Sequence, residues 1–121
     1  MADPVEVWRI FSKDDGTSSM EKIEISLPNN RSMLLQGPGV QLARMSKDMV
    51  ASWHTGPRRQ MLATIAGEGE IETGDGQVLV VKPGVITVIE DLTGVGHLTR
   101  ARGDVDRYAL VFPIDDDLVL A

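Results

Sequence analysis

The chain has 121 residues, no cysteine and a formal net charge of −6 at pH 7. This length predicts one domain, residues 1–121, and the absence of cysteine excludes disulfides, thiol catalysis and thiolate metal ligands. The acidic balance and the scattered basic residues lack the concentrated positive face that nucleic acids require, so we expect no nucleic-acid partner.

The first residues and the hydropathy of the chain predict a cytoplasmic protein. Met1 to Pro4 contain an acid and a proline, where a secretory signal peptide would have a basic start and an apolar core. No apolar run is long enough to span a bilayer, which argues against a membrane partner. The lack of cysteine is compatible with a reducing compartment.

Short extended segments, separated by Gly, Pro, Asn and Asp, follow one another along the chain. Apolar residues occupy every second position from Ile23 to Leu27, which is the period of a half-buried strand. The turn 74–76 (Gly-Asp-Gly) predicts a tight hairpin, and Gly103-Asp104 predicts another between the last two strands. No segment has helical spacing, so the pattern predicts an all-β sandwich or barrel of at least eight strands. The expected strands are Val5–Phe11, Met20–Leu27, Val40–Met45, Met49–His54, Gln60–Ile65, Gly67–Thr73, Gln77–Val81, Val85–Ile89, His97–Ala101 and Tyr108–Phe112.

The stretch between the two histidines of the chain resembles the paired motifs of the cupins, a superfamily of small β-barrels. The first cupin motif, Gly-x5-His-x-His-x(3,4)-Glu-x6-Gly, commonly ends in a Leu-x-Gly-x-Gly run, and Ile65 to Gly69 is similar to that run. The second, Gly-x5-Pro-x-Gly-x2-His-x3-Asn, is similar to Leu92 to His97, with Leu in place of Pro. The motif positions then fall on His54, Gly56 (for the second His), Gln60 (for the acid), His97 and Ala101 (for the Asn).

The resemblance covers about residues 40–113 and implies a cupin double-stranded β-helix, an antiparallel jelly-roll barrel. It also implies a site at the positions of the metal ligands, here His54, Gln60 and His97. Two imidazoles and an amide oxygen could hold one divalent transition metal, Fe, Zn, Ni or Mn, or the site could be metal-free. In either case we expect the two histidines to share one pocket. The alternative is that both are packing histidines bonded to their neighbours.

Strand alternation divides the segment that begins at Gln60 into two faces. If Gln60 faces the barrel interior, Leu62 and Thr64 join it. The residues between them face outward, and this face is too apolar to remain in water; its members are Arg59, Met61, Ala63 and Ile65. We therefore expect either a homodimer or cover by the N-terminal strands.

Three further residues, Arg58, Glu90 and Tyr108, could contribute to the pocket. Arg58 shares the parity of Gln60 and could hold a carboxylate or phosphate, which makes the small-molecule partner anionic; alternatively it forms a surface ion pair. Glu90 could act as a general base if it is buried. Asp91 is expected instead to cap the turn that follows it. Tyr108, on the last strand, could line the cavity.

These patterns favour a small-molecule enzyme that works inside the barrel. His54, His97 and Glu90 are the candidate catalytic residues, and the chemistry is metal-assisted or histidine acid–base, of an isomerase, lyase, cyclase or oxygenase type. The cupin fold hosts all of these reactions, so the fold does not select one. The alternatives are a cupin that binds a small ligand without turning it over and a purely structural subunit.

Overall fold

The computed structural model describes residues 4–120; residues 1–3, on which the signal-peptide expectation mainly rests, lie outside this range. Within it the chain forms ten strands and one 3-10 turn, Pro28–Asn30, with no α-helix. No helix in this part of the chain is long and apolar enough to cross a membrane. The strands are β1 (Val5–Ser12), β2 (Ser18–Ile25), β3 (Gln41–Met45), β4 (Val50–His54), β5 (Gln60–Ala66), β6 (Glu68–Glu72), β7 (Val78–Val81), β8 (Ile86–Glu90), β9 (His97–Arg102) and β10 (Arg107–Pro113).

The last eight strands form a jelly roll. Within these eight strands, the first pairs antiparallel with the last, the second with the second last, and so on inward. The pairs are β3 with β10, β4 with β9, β5 with β8, and β6 with β7. This is the pairing of one long antiparallel ribbon that has been rolled up, which gives two facing sheets. The predicted all-β cupin double-stranded β-helix is confirmed.

The strand order places the two ends of the chain on one sheet. The six-stranded sheet has the order β2-β1-β8-β5-β10-β3, and the four-stranded sheet has the order β4-β9-β6-β7. The hairpin expected at 74–76 is present, but the one expected at Gly103-Asp104 is wrong, because β9 and β10 lie in different sheets. The turn chemistry there reverses the chain, yet each strand finds its partners elsewhere, β9 with β4 and β6, and β10 with β3 and β5.

Two apolar clusters cover the two faces of the six-stranded sheet. The cluster between the sheets contains Ile10, Met20, Ile71, Val81 and Ile89. The outer cluster contains Val7, Ile25, Met61, Val88 and Ile114, with Leu35, Leu118 and Leu120 packed against it.

The outer face of β5 around Met61 is therefore covered by the C-terminal tail and by the segment around Leu35. Cover by the N-terminal strands, one of the two expected arrangements, is wrong, because β1 and β2 extend the sheet edge to edge instead of lying across it. Met61 is buried by this packing, whereas Ile65 stays 53% exposed.

Candidate functional site

A cavity of about 190 Å³ opens between the two sheets, and both histidines line it. Its wall is mostly apolar, with Leu62, Ile71 and Ile89 among the lining side chains. The polar side chains on the wall come from four different strands, and they include His54, Gln60, His97 and Arg107. A small apolar cavity with a few convergent polar groups is the usual form of a small-molecule site.

The pairing of β4 with β9 brings the two imidazoles together. His54 and His97 are direct partners in this antiparallel pair, their ring centroids lie 4.6 Å apart, and the rings are tilted by 55°. His97 is buried, with 4% of its surface exposed, whereas His54 is exposed at the rim. The expectation that the two residues share one pocket is met in this geometry.

The deeper imidazole has a carboxylate behind it. Nδ1 of His97 lies 2.5 Å from Oδ2 of Asp91, whose side chain is completely buried. A carboxylate can only accept, so Nδ1 carries the proton, and the Nε2 atom of neutral His97 is left with a free lone pair. Nδ1 of His54 lies 2.7 Å from the carbonyl oxygen of Ser52, which assigns the same tautomer to the second ring.

At Gly56, the position of the second histidine in the cupin motif, the space for a side chain is filled by Ile89 and Asp91. A Cβ atom on Gly56 would lie 2.5 Å from Cγ2 of Ile89 and 3.6 Å from Oδ1 of Asp91. The backbone N–H of Gly56 also donates to the carbonyl oxygen of Asp91, at 3.0 Å. A third imidazole therefore has no room here, because Ile89 and Asp91 fill its place.

Gln60 faces the cavity, as alternation along β5 predicts. Leu62 also lines the cavity, and Thr64 is buried on the same side. The Oε1 atom of Gln60 is buried and has no hydrogen-bond partner among the described residues. An unpartnered buried amide oxygen is costly, so this atom could accept a hydrogen bond from a bound molecule or coordinate a cation.

Arg107 begins β10 and is 4% exposed. Its Nε donates to Oγ1 of Thr64 at 3.1 Å, and no carboxylate in the part of the chain described here lies within ion-pair distance of it. Burial lowers the pKa of the Arg107 guanidinium, because its charged form has lost water. An arginine side chain stays protonated at neutral pH even so, and the wall of the cavity therefore carries a positive charge.

Glu90 and Asp91, neighbours in sequence, lie on opposite faces of the sheet. Glu90 is on the outer face, where it pairs with Arg9 and with Arg59, the latter at 2.6 Å. Arg59 also donates to the carbonyl oxygens of Asp115 and Leu118 in the C-terminal tail. The structure therefore does not bring Glu90 together with the histidines. The carboxylate that contacts a histidine is Asp91, which is buried behind His97 and for which the sequence predicted only a cap.

The other two candidate binding residues also lie away from the cavity. Arg58 is exposed and donates to Oε1 of Gln41 at 2.6 Å, because the turn at Pro57 removes it from the alternation of β5. Tyr108 is 44% exposed and lies on the outer face of β10, opposite Arg107, which lies on the inner face. Adjacent strand residues point to opposite faces, so Arg107 takes the inward position that was expected of Tyr108.

Sequence reasoning thus missed Asp91 and Arg107. The signal for Asp91 was weak, because β8 is apolar on both faces and its pattern does not show which side faces inward. For Arg107 a usable signal existed: it shares the parity of Ala109 and Val111, and a charged residue on the buried face of a strand is unusual.

Comparisons with known proteins agree on the fold. The sequence matches no protein-family model and no curated protein. The crystal structure of protein NMB1881 from Neisseria meningitidis is similar with a TM-score of 0.50 and 14% identity, over 88% of this chain and 80% of that one. The crystal structure of a Salmonella typhimurium protein provisionally assigned as ethanolamine utilization protein Q covers 94% of this chain and 100% of its own, with a TM-score of 0.44 and 10% identity. Identities this low concern the fold alone, and the likeness to the first of these structures supports the all-β fold described above.

Proposed function

We propose that the cavity catalyses proton transfer on a small organic molecule without a metal. The observation that carries this proposal is the buried pair of His97 and Asp91, with a second imidazole 4.6 Å from the first ring. A histidine held in one tautomer by a carboxylate is the arrangement that general acid–base catalysis uses.

The two histidines have separate roles in this proposal. Nε2 of His97 removes a proton from the substrate, and Asp91 stabilises the imidazolium that forms. His54, at the exposed rim, returns a proton to another atom of the substrate or exchanges it with water. Removal at one atom and return at another is an isomerisation; loss of a leaving group after removal is an elimination. Neither reaction needs a second reactant.

Proton exchange with solvent tests this function before the substrate is known. We expect the protein in D₂O to replace C–H by C–D in at least one member of a panel of small hydroxy acids, keto acids and their neutral analogues, followed by proton NMR. His97→Gln should abolish the exchange. Exchange at the wild-type rate in that variant would contradict the proposal, and binding without exchange would favour a ligand-binding cupin.

A divalent metal is the second candidate, and the unpartnered Oε1 of Gln60 favours it. The donors would be His54, Gln60 and His97, and a bound ion would act as a Lewis acid on an oxygen of the substrate. No group of three or more His, Cys, Asp or Glu in residues 4–120 could hold an ion. The donor set is therefore limited to two imidazoles and one neutral amide, which predicts weak binding.

Gln60→Glu tests the metal. A carboxylate in place of the amide adds a negative charge beside the ion, so the increase in Tm caused by added Zn²⁺, Ni²⁺, Mn²⁺ or Fe²⁺ should be larger in the variant than in the wild type. The readout is the response to the ion, since Arg107 lines the same cavity and could itself pair with the new carboxylate. If no divalent ion shifts the Tm of either protein, the metal candidate fails.

We also propose that the protein is a homodimer through the outer face of β3, β5 and β10. Leu42 is 83% exposed, Ile65 53% and Tyr108 44%, on adjoining strands of the six-stranded sheet. Exposed apolar residues that adjoin in this way mark an interaction surface. Leu42→Glu should convert the dimer to a monomer in light scattering, with little change in the fold. A wild-type protein that is monomeric at every concentration would contradict this proposal.

A further inference from the structure

Arg107 differs from the arginines that form ion pairs. Four arginines form salt bridges with glutamates on the protein surface or on the outer face of a sheet: Arg9, Arg59, Arg100 and Arg102. Arg107 is the one buried arginine or lysine in residues 4–120, and its hydrogen bond to Thr64 leaves both Nη groups without a protein partner among those residues. A buried cation without a counterion is strongly disfavoured, so a bound anion that pairs with Arg107 would remove this cost.

The guanidinium is held in place before any ligand arrives. Its Nε is bonded to Thr64, and the missing side chain of Gly69 leaves the space that the head group uses. A Cβ atom on Gly69 would lie 3.2 Å from Nη1 and 3.4 Å from Cδ of Arg107. A planar fork of N–H donors that is already fixed loses little entropy when it binds an anion.

The size of the cavity limits the anion. Its volume of about 190 Å³ is below the roughly 300–1,000 Å³ of pockets that take drug-sized ligands, which favours a compact anion. A planar guanidinium fork matches the two oxygens of a carboxylate. Gln60 lines the same cavity, and its unpartnered Oε1 offers an acceptor to a bound molecule.

We infer that Arg107 anchors a compact carboxylic acid in the cavity that His54 and His97 also line. The inference deepens the proposed function and rests on it for the reaction, but the binding itself does not depend on turnover. In this inference the anion is held by Arg107, which is buried inside the barrel. The sequence suggested Arg58 for this role, but Arg58 is exposed on the surface.

Thermal unfolding in matched salts tests the anchor. Lactate, pyruvate and malonate are compared with inorganic phosphate and with chloride at the same ionic strength. At a concentration ten times its Kd, a bound carboxylate should raise the Tm of the wild type by roughly 4–6 °C. Arg107→Met should lose this increase, and Arg102→Met, a surface arginine paired with Glu68 and Glu70, should keep it.

The Tm of the variants without ligand is an independent test of the inference. Since Arg107→Met removes a buried charge that has no partner, its Tm without ligand should equal or exceed that of the wild type. A structural arginine would give the opposite result, a large fall in Tm, and that result would overturn the inference. Arg107→Lys keeps the charge and loses the fork, so it should fold and bind the carboxylate about tenfold more weakly.

The remaining outcomes also decide. No Tm increase in any carboxylate, an increase in phosphate alone, or a loss of response in Arg58→Met instead of Arg107→Met would each overturn the carboxylate anchor. Failure of the proposed catalysis is seen separately: His97→Gln should still respond to the carboxylate while it loses exchange in D₂O. A wild type that binds the carboxylate through Arg107 but exchanges no proton would retain the anchor and reject the catalytic proposal.

Discussion

Replacing Asp91 with asparagine is expected to lower the rate of proton exchange catalysed by the cavity by about 10²–10⁴-fold. The reason is the 2.5 Å contact between Oδ2 of Asp91 and Nδ1 of His97. An amide in this position can present a donor to Nδ1, which moves the proton of the ring to Nε2 and removes the lone pair that takes the substrate proton. It also removes the negative charge that stabilises the imidazolium.

The measurement is the exchange rate in D₂O, with nitrogen-15 NMR of the imidazole to identify the tautomer of His97. The two side chains are almost the same size, so Asp91→Asn should fold, and carboxylate binding at Arg107 should persist. Glu90→Gln is the comparison, because Glu90 neighbours Asp91 in sequence but pairs with Arg9 and Arg59 on the outer face. A larger loss of exchange in Glu90→Gln than in Asp91→Asn would contradict the assignment of the dyad.

Gly96→Ala is expected to lower the free energy of unfolding by about 4 kcal/mol or more. Gly96 has a φ of 77°, which alone costs a side chain about 1–2 kcal/mol. Its Cβ atom would also overlap the backbone carbonyl of His54 and lie 2.6 Å from the amide nitrogen of Thr55. These backbone atoms can move only if the end of β4 moves, and this end carries His54 into the cavity.

Urea denaturation measures this loss, and Gly76→Ala is the matched control. Gly76 has a φ of 87°, but a Cβ atom there would meet nothing within 4 Å. The control should therefore lose only the backbone term, about 1–2 kcal/mol. Equal losses in the two variants would show that the close approach of Gly96 to His54 does not determine stability.

Much of the site follows from strand alternation and the motif resemblance. Gln60 and Leu62 line the cavity because residues of equal parity share one face of β5. His54 and His97 meet because the motif positions fall on two strands that pair. These inferences succeed since they use a local period or a pattern that is written along the chain.

The failures share a different cause. Arg58 follows a proline turn, so the parity of β5 does not extend to it. The hairpin expected at Gly103 failed because a turn signature reports a chain reversal and does not report which strands then pair. Tyr108 was placed on the inner face, and the neighbouring Arg107 occupies that position instead.

The amino-acid sequence by itself determined that the chain is all-β, because this feature depends on periods and turn residues along the chain. The resemblance to the cupin motifs implied the jelly-roll barrel and the placement of the two histidines and Gln60 in its interior. The tertiary structure alone decided that Asp91 stands behind His97, that Ile89 fills the place of a third imidazole at Gly56, and that Arg107 is a buried cation without a partner. These are contacts between elements that are distant in sequence or on doubly covered strands. No local pattern encodes the first two, since packing on both faces of a sheet removes the alternation that would show which side chains turn inward. For Arg107 the parity shared with Ala109 and Val111 shows that the side chain turns inward, but it does not show that the guanidinium lacks a partner.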